Sequence, residues 1–368
     1  MKIAFITQST NNLVSARSNL INKLKENGHE IVAILPNNEN IEKMKKLDIK
    51  YKVANLDRLS MGLISNIKYL NNLIKILKAE KVDAIFAYTI KPIIFGGIAS
   101  RLLKIKKRFY LVTGMGYVYS VNDFYIKFIR IFCNIGYKNA LKYSTATIFQ
   151  NKEDMEECLE NKFLSKSQAF VVESSGVDME RFFKTENPLN DTFLMVSRKL
   201  KVKGVVEYCK AAQIVKTKYK DARFIFVGDD ENSFRGVKDK NIKKYIENGI
   251  VEFVGKSNKI QEYMTNSMVV VLPSYLREGV PRVLIEALAV GRPIITTNLR
   301  GCNTCLVENV NGKFVLPKNE YDLAEKMIYM LENKNKIKIM SDASHRIAKR
   351  KFDINIVNKK IVEIIEKT

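Results

Sequence analysis

The sequence predicts an α/β protein built as two doubly wound parallel-sheet domains facing a cleft. Two observations lead there. Short apolar runs of strand length alternate with stretches of 3.6-residue periodicity, and the alternation breaks at one polar stretch and then restarts. The length agrees: 368 residues with 46% apolar side chains is more than one ordinary domain and enough for two cores.

In chain order, the first half reads "KIAFIT", "EIVAIL", "DAIFAY", "RFYLVT" and "TATIFQ" as strands, with helical periodicity between them from Leu13 to Glu26 and from Leu63 to Lys78. Continuous apolar runs belong to strands covered on both faces, which makes the sheet parallel and the domain Rossmann-like. The second half repeats the pattern with "TFLMVS", "ARFIFVGD", "VEFVG", "MVVVLPS" and "RPIITT". The polar stretch "KTENPLND", residues 184–191, with Pro188 inside it, reads as the junction. The expected domains are therefore 1–183 and 192–350, with 351–368 as a C-terminal helix packing back on the first domain.

Composition bounds the function classes. No apolar window is long enough to span a bilayer, and "MKIAFITQST" is far short of a signal peptide, so a cytoplasmic location is expected. Five scattered cysteines argue for reduced thiols, and Cys302 and Cys305, a lone CxxC beside only two histidines in the chain, read as loop thiols rather than a metal or redox site. The net charge of +23 calls for an anionic partner. Between Ala84 and Lys152, eleven basic residues face one acid, Asp123, a local patch of +10.

Within that patch, "FYIKFIRIFCNIGYKNALK" sets Lys127, Arg130, Asn134, Lys138 and Lys142 at helical spacings as one polar stripe, with Phe124, Phe128, Ile131, Phe132 and Ile135 among the apolar remainder. The pattern fits an interfacial helix on an anionic membrane, and it equally fits a buried helix with one solvated face. No base-reading motif accompanies the charge, so nucleic acid is not an expected partner.

Ligands of doubly wound domains sit outside the carboxyl ends of the strands. After "TFLMVS" comes "SRKLKVKG", where Arg198 and Lys203 flank a turn and suit a diphosphate, one as a fork and one as a point charge. After "MVVVLPS" comes "LREGVPRVLIEALAVG", in which Pro281 opens a helix that runs to about Val290 and stops at Gly291. Glu278 lies just before that helix and Glu286 inside it. They are too far apart to flank one bond as acid and base, and better placed to hold two ends of one long ligand.

That stretch resembles the Glu-x7-Glu signature of retaining glycosyltransferases of the GT-B architecture, family 4. "YTIKPIIFGGIASR", "TGMGYV", "SSGVDMERF", "SRKLKVKG" and "GCNTCLVENVNGKFV" agree with it in order along nearly the whole chain. The likeness is strongest to the branch that extends O-antigen, capsule or protein glycans on undecaprenyl diphosphate. It implies a hexosyltransferase that moves a hexose or N-acetylhexosamine from a UDP-sugar to a polyprenyl-diphosphate-linked saccharide, with retention and without a metal or other cofactor. In the implied roles Arg198 and Lys203 hold the departing diphosphate, Glu278 meets the donor sugar and Glu286 the ribose. The backbone of Gly255 and Lys256 frames the uracil, and Gly279 and Val280 supply amides near the phosphates. Arg17, Lys91, Thr113, Gly114 and Gly116 fall on the acceptor side, where ordinary loop geometry explains the last four equally well.

The sequence departs from the family in three places. The first loop, "TQSTNNLVSARSNL", lacks the usual glycines, Thr304 stands where a glutamate is common, and "GDDE" at 228–231 replaces the usual Gly-Asp-Gly. The resemblance also gives the basic patch a use, docking the first domain peripherally on the inner face of the cytoplasmic membrane. Two other readings fit part of the pattern: a UDP-sugar 2-epimerase with the same two domains, whose histidine-rich site His29 and His345 would have to supply, and a non-catalytic basic nucleotide- or nucleic-acid-binding protein.

Overall fold

A computed structural model of the chain describes residues 1–45, 47–57, 62–120, 123–230 and 236–368. Among these described residues the chain forms two α/β units, Met1–Ser175 with Ile354–Thr368, and Gly176–Asp353.

The first unit runs β1 (Lys2–Ile6), α1 (Thr10–Glu26), β2 (Glu30–Leu35), α2 (Ile41–Lys45), β3 (Lys50–Val53), α3 (Leu63–Glu80), β4 (Ala84–Tyr88), α4 (Ile90–Leu102), β5 (Lys107–Val112), α5 (Tyr117–Ser120), α6 (Phe124–Leu141), β6 (Ala146–Phe149), α7 (Lys152–Glu160) and β7 (Ala169–Val171). Its strands pair in parallel in the order β3-β2-β1-β4-β5-β6-β7. Side-chain alternation along β1 splits the core into two layers. Ile3 and Phe5 pack with Leu13, Leu20 and Leu24 of α1, while Ala4 and Ile6 pack with Tyr69 and Leu73 of α3, Ile93 of α4 and Tyr137 of α6. The last helix, α14 (Ile354–Lys367), belongs to this unit, where Val357, Ile361 and Ile365 join the α1 layer and Glu366 accepts from Asn27 Nδ2 at 2.7 Å.

The second unit runs β8 (Thr192–Val196), α8 (Val205–Lys218), β9 (Arg223–Val227), α9 (Lys243–Glu247), β10 (Glu252–Gly255), α10 (Ile260–Thr265), β11 (Val269–Leu272), α11 (Arg282–Val290), β12 (Ile294–Thr297), β13 (Gly312–Val315), α12 (Glu320–Glu332) and α13 (Lys334–Ile347). The parallel order is β10-β9-β8-β11-β12-β13. Connections leave β8 toward one edge and β11 toward the other, so the crevice for a ligand opens where the loops after β8 and β11 diverge.

The units divide between Ser175 and Gly176, upstream of the 184–191 stretch expected as the junction. Val177 N donates to Phe352 O at 2.8 Å and Phe182 enters the second core, so this chain already belongs to the second unit. The polar stretch is not a loose linker either. The fully buried guanidinium of Arg292 donates to Thr185 O, Thr185 Oγ1, Glu186 O, Met264 O and Thr265 O, pinning it to α10. Only a five-donor fork serves so many carbonyls at once, and burial still pushes its pKa down to about 10.

Two helix expectations need correction. Pro281 is the cap residue of α11 rather than its first helical residue, with φ of −63° and ψ of 120°. On α6 the five polar residues are not one solvated stripe. Arg130 donates through Nε and Nη2 to Val118 O, and Asn134 accepts from the Tyr119 hydroxyl at 2.6 Å, so both face α5. Lys127, Lys138 and Lys142 remain exposed, together with Phe128, Ile131, Phe132 and Ile135.

Candidate active site

The loops at the switch point of the second unit bring two of the expected residues, Lys203 and Glu278, into contact. Lys203 ends a tight turn, Lys201–Lys203, after β8, and Glu278 sits in the loop after β11. Lys203 Nζ lies 2.5 Å from Glu278 Oε2, and both side chains are 13% exposed, so the pair is screened from bulk water without being sealed from a ligand. Ser274 Oγ donates to the other carboxylate oxygen at 2.8 Å. Beneath them lies the Cys302 thiol, fully buried, whose pKa is pushed up to about 12 by burial and then by the charge of Glu278. It stays a neutral thiol.

Backbone contacts hold these loops in place. Tyr275 N donates to Val202 O at 2.9 Å, joining the loop after β11 to the turn before α8. Thr297 Oγ1 donates to Ser274 O at 2.6 Å, joining it to β12. Two glycines make the approach possible. A Cβ on Gly204, at φ +79°, would stand 2.4 Å from Pro273 O, and one on Gly301, at φ +82°, would stand 1.8 Å from Gly279 O. Both positions exclude side chains twice over, by backbone conformation and by space.

Arg198 lies exposed on the loop between β8 and the Lys201–Lys203 turn. Gly279 and Val280 are buried just ahead of α11, whose N-terminus points its positive dipole end at the same loop, as does that of α8 after Gly204. Glu286 lies on α11 two turns beyond Glu278. Burial pushes its carboxyl above the usual range, opposed by the charges of Arg282 and Arg181, and Arg282 Nη2 donates to Oε1 at 3.0 Å.

The other predicted residues lie apart from this group. Gly255 ends β10 at φ +75°, and Lys256 beside it is exposed and pairs with Asp229 at 3.1 Å. Asp230 is taken by Lys199, whose buried ammonium also lies over the Phe253 ring. The two aspartates of the "GDDE" stretch are thus neutralised by lysines, and Glu231 lies outside the described residues.

In the first unit, Arg17 is buried on α1, 5.5 Å from the Tyr88 ring, and donates to Ser175 Oγ at 3.1 Å. Lys91 donates to Asp57 O at 2.6 Å and to Asn66 Oδ1 at 3.3 Å, tying α4 to α3 and to the chain before it, and burial lowers its pKa. Thr113, Gly114 and Gly116 form the turn after β5, with both glycines at positive φ. Thr89, just after β4 at the switch point of this sheet, is a β-branched residue at φ 72°, a strained conformation of the kind found at functional loops. His29 Nε2 meets Glu366 and His345 Nδ1 meets Ala289 O, so neither histidine stands among the residues of the site.

Sequence reasoning missed Ser274, Arg282 and Gly301. Their signals are the four-residue spacing of Ser274 before Glu278, the four-residue spacing of Arg282 before Glu286, and a glycine four residues after the end of β12.

Comparison with known proteins settles the family. The family described as "Glycosyl transferases group 1" matches residues 177–347, and "Glycosyl transferase 4-like" matches residues 2–151. An Escherichia coli UDP-Gal:alpha-D-GlcNAc-diphosphoundecaprenol alpha-1,3-galactosyltransferase is 30% identical over 304 residues, 77% of this chain and 74% of that one. The chain belongs to the group 1 glycosyltransferases.

The likeness extends along the whole molecule. A Campylobacter jejuni N,N'-diacetylbacillosaminyl-diphospho-undecaprenol alpha-1,3-N-acetylgalactosaminyltransferase is 29% identical over all of this chain and 99% of its own. Among solved structures, Anabaena HepE in complex with UDP and glucose superimposes with a TM-score of 0.82 at 18% identity, covering 100% of both chains. Sucrose-phosphate synthase from Thermosynechococcus elongatus does so with a TM-score of 0.80 at 15% identity, covering 100% of this chain and 98% of that one. The fold of this glycosyltransferase is GT-B, and its Lys203–Glu278 pair lies in the half matched by the group 1 family.

Proposed function

We propose that this glycosyltransferase moves a hexose or N-acetylhexosamine from a UDP-sugar to an undecaprenyl-diphosphate-linked saccharide, with retention and without a metal, in the assembly of a surface glycan such as O-antigen, capsule or a protein glycan. The observation that carries the reading is the Lys203–Glu278 pair at the switch point, between the N-termini of α8 and α11. Relatives named for acceptors carried on undecaprenyl diphosphate, one of them matched end to end, support the acceptor class.

In this reading the UDP diphosphate lies against Arg198, Lys203 and the two helix N-termini. These fixed positive groups stabilise the charge that develops as the bond from the sugar's anomeric carbon to the β-phosphate oxygen breaks. The electron pair leaves with UDP. The acceptor hydroxyl attacks from the face that UDP vacates, forming the new glycosidic bond, and its proton passes to the departing phosphate oxygen. Glu278, freed from Lys203 as that lysine turns to the phosphate, orients the donor sugar. Glu286 takes the ribose, the Gly255–Lys256 segment frames the uracil, and Gly279 and Val280 lend amides to the phosphates. The lysine pairing of Asp229 and Asp230 supports a metal-free site, because neither carboxylate is offered as a cation ligand.

The first unit takes the acceptor, through Arg17, Lys91 and the Thr113–Gly116 turn, and meets the membrane's inner face through α6. No helix of the described residues is long and apolar enough to cross a membrane. Phe124 is 87% exposed, and Phe128, Ile131, Phe132 and Ile135 are 54–60% exposed along one face of α6, beside exposed Lys127 and Lys138. Aromatic and aliphatic groups over acyl chains with lysines at the phosphates suit an anionic bilayer.

The test is a panel of UDP-sugars with an extracted lipid-linked acceptor, read by product mass. The reading predicts one hexose or N-acetylhexosamine added to the lipid-linked saccharide and UDP released, without added divalent cation. Turnover of a UDP-sugar with no acceptor, or no transfer from any UDP-sugar, would contradict it.

A further inference from the structure

Arg282 is the first helical residue of α11, and Glu286 stands one turn further along the same face. The side chain of Glu286 is 13% exposed and that of Arg282 31%, and their charged groups meet at 3.0 Å. A carboxylate withdrawn from water tends to keep its proton.

We infer that Arg282 is a positioning residue for the nucleotide, holding Glu286 charged and aimed so that its carboxylate accepts the ribose hydroxyls. The inference rests on the ribose role of Glu286 given above. One guanidinium nitrogen on one carboxylate oxygen uses part of the accepting capacity of an ionised carboxylate, and the remainder stays available for hydroxyl donors. A protonated Glu286 would present a donor where the ribose needs an acceptor.

Among the described residues, two charged side chains act on Glu286. Arg282 acts from its own helix and Arg181 from the segment after Val177, and both favour the charged form against burial. From α13, His345 meets Ala289 O further toward the C-terminal end of α11, and from the turn after β12, Cys302 and Cys305 present buried thiols. Lys351, beyond α13, donates toward Thr304 O. Arg282 is the neighbour in direct contact, and its removal leaves the opposing charge to the more remote, exposed Arg181. Glu286 should then take up a proton at a higher pH than in the native chain. Because a bound proton opposes ribose binding, UDP affinity in the variant should fall as the solution is acidified, where the native chain still binds.

The experiment is calorimetric titration of UDP into the full-length native chain, Arg282→Gln, Arg282→Lys and Glu286→Gln, each at neutral and at mildly acid pH, with circular dichroism to confirm folding. Arg282→Gln is expected to lose roughly tenfold more affinity on acidification than the native chain, the factor that one unit of pKa displacement gives. Arg282→Lys should restore most of the acid-side affinity, and Glu286→Gln should bind weakly with no pH dependence of this origin. An equal loss at both pH values in Arg282→Gln would overturn the inference by showing a merely structural role. Native-like binding by Glu286→Gln would instead overturn the ribose assignment beneath it.

Discussion

Lys203 Nζ and Glu278 Oε2 are 2.5 Å apart, although 75 residues of chain separate them and their loops rise from two different strands. In this contact each neutralises the other. A nucleotide diphosphate is the better partner for the lysine, offering more negative charge and the help of two helix N-termini. On the proposed mechanism, donor binding exchanges one counter-ion for another and delivers Glu278 to the sugar.

Replacing Lys203 with alanine should act on both stability and catalysis. It leaves the largely buried Glu278 carboxylate without its contacting ammonium, while Ser274 Oγ still donates to it, a loss of about 1–3 kcal/mol. It also removes a fixed positive group from the leaving diphosphate, which should lower turnover by about 10²–10³-fold. Urea unfolding and a transfer assay on the same preparation check the two effects. A variant that unfolds earlier but turns over normally would assign the pair to stability alone.

Gly301 predicts a different signature. A methyl group there would meet the backbone oxygen of Gly279 at 1.8 Å and that of Glu278 at 2.6 Å, in a backbone conformation that alanine resists. Either the turn after β12 or the Glu278 loop must move. Gly301→Ala should lose most transfer activity, with UDP affinity reduced, while circular dichroism shows the α/β fold retained. Native activity in this variant would mean that the loop tolerates displacement and does not hold Glu278 in a required position.

Much of this architecture was legible in the sequence, for physical reasons that also explain the gaps. Central strands such as "FLMV" and "VVVL" are covered on both faces and read as unbroken apolar runs. The edge strands β3 and β13 are partly polar, "KYKV" and "GKFV", and β7 is only three residues, "AFV", so periodicity alone passes over them. Glu278 and Lys203 stand out because charges just after apolar strands invite a ligand. Ser274 and Gly301 do not, because a hydroxyl aimed at a carboxylate and a glycine pressed against a carbonyl are facts of packing. The stripe on α6 misled because lysine and arginine look alike in a pattern, whereas Arg130 has turned inward to a backbone carbonyl.

The exposed face of α6 predicts lipid dependence. Substituting Phe128 and Phe132 together with aspartate removes two large apolar groups and sets negative charge against an anionic surface. Neither residue belongs to the nucleotide site, so UDP binding should stay unchanged. Sedimentation with vesicles containing anionic lipid should show a loss of at least tenfold in binding, since about 1.5–3 kcal/mol accompanies the burial of each such side chain. Undiminished sedimentation would remove α6 from the membrane contact.

The most direct test is where UDP binds. A structure of the chain with UDP should place the diphosphate within hydrogen-bonding distance of Arg198 and Lys203, beside the N-termini of α8 and α11, with the ribose on Glu286 and the Lys203–Glu278 contact broken. A nucleotide bound elsewhere, with Lys203 still on Glu278, would contradict it.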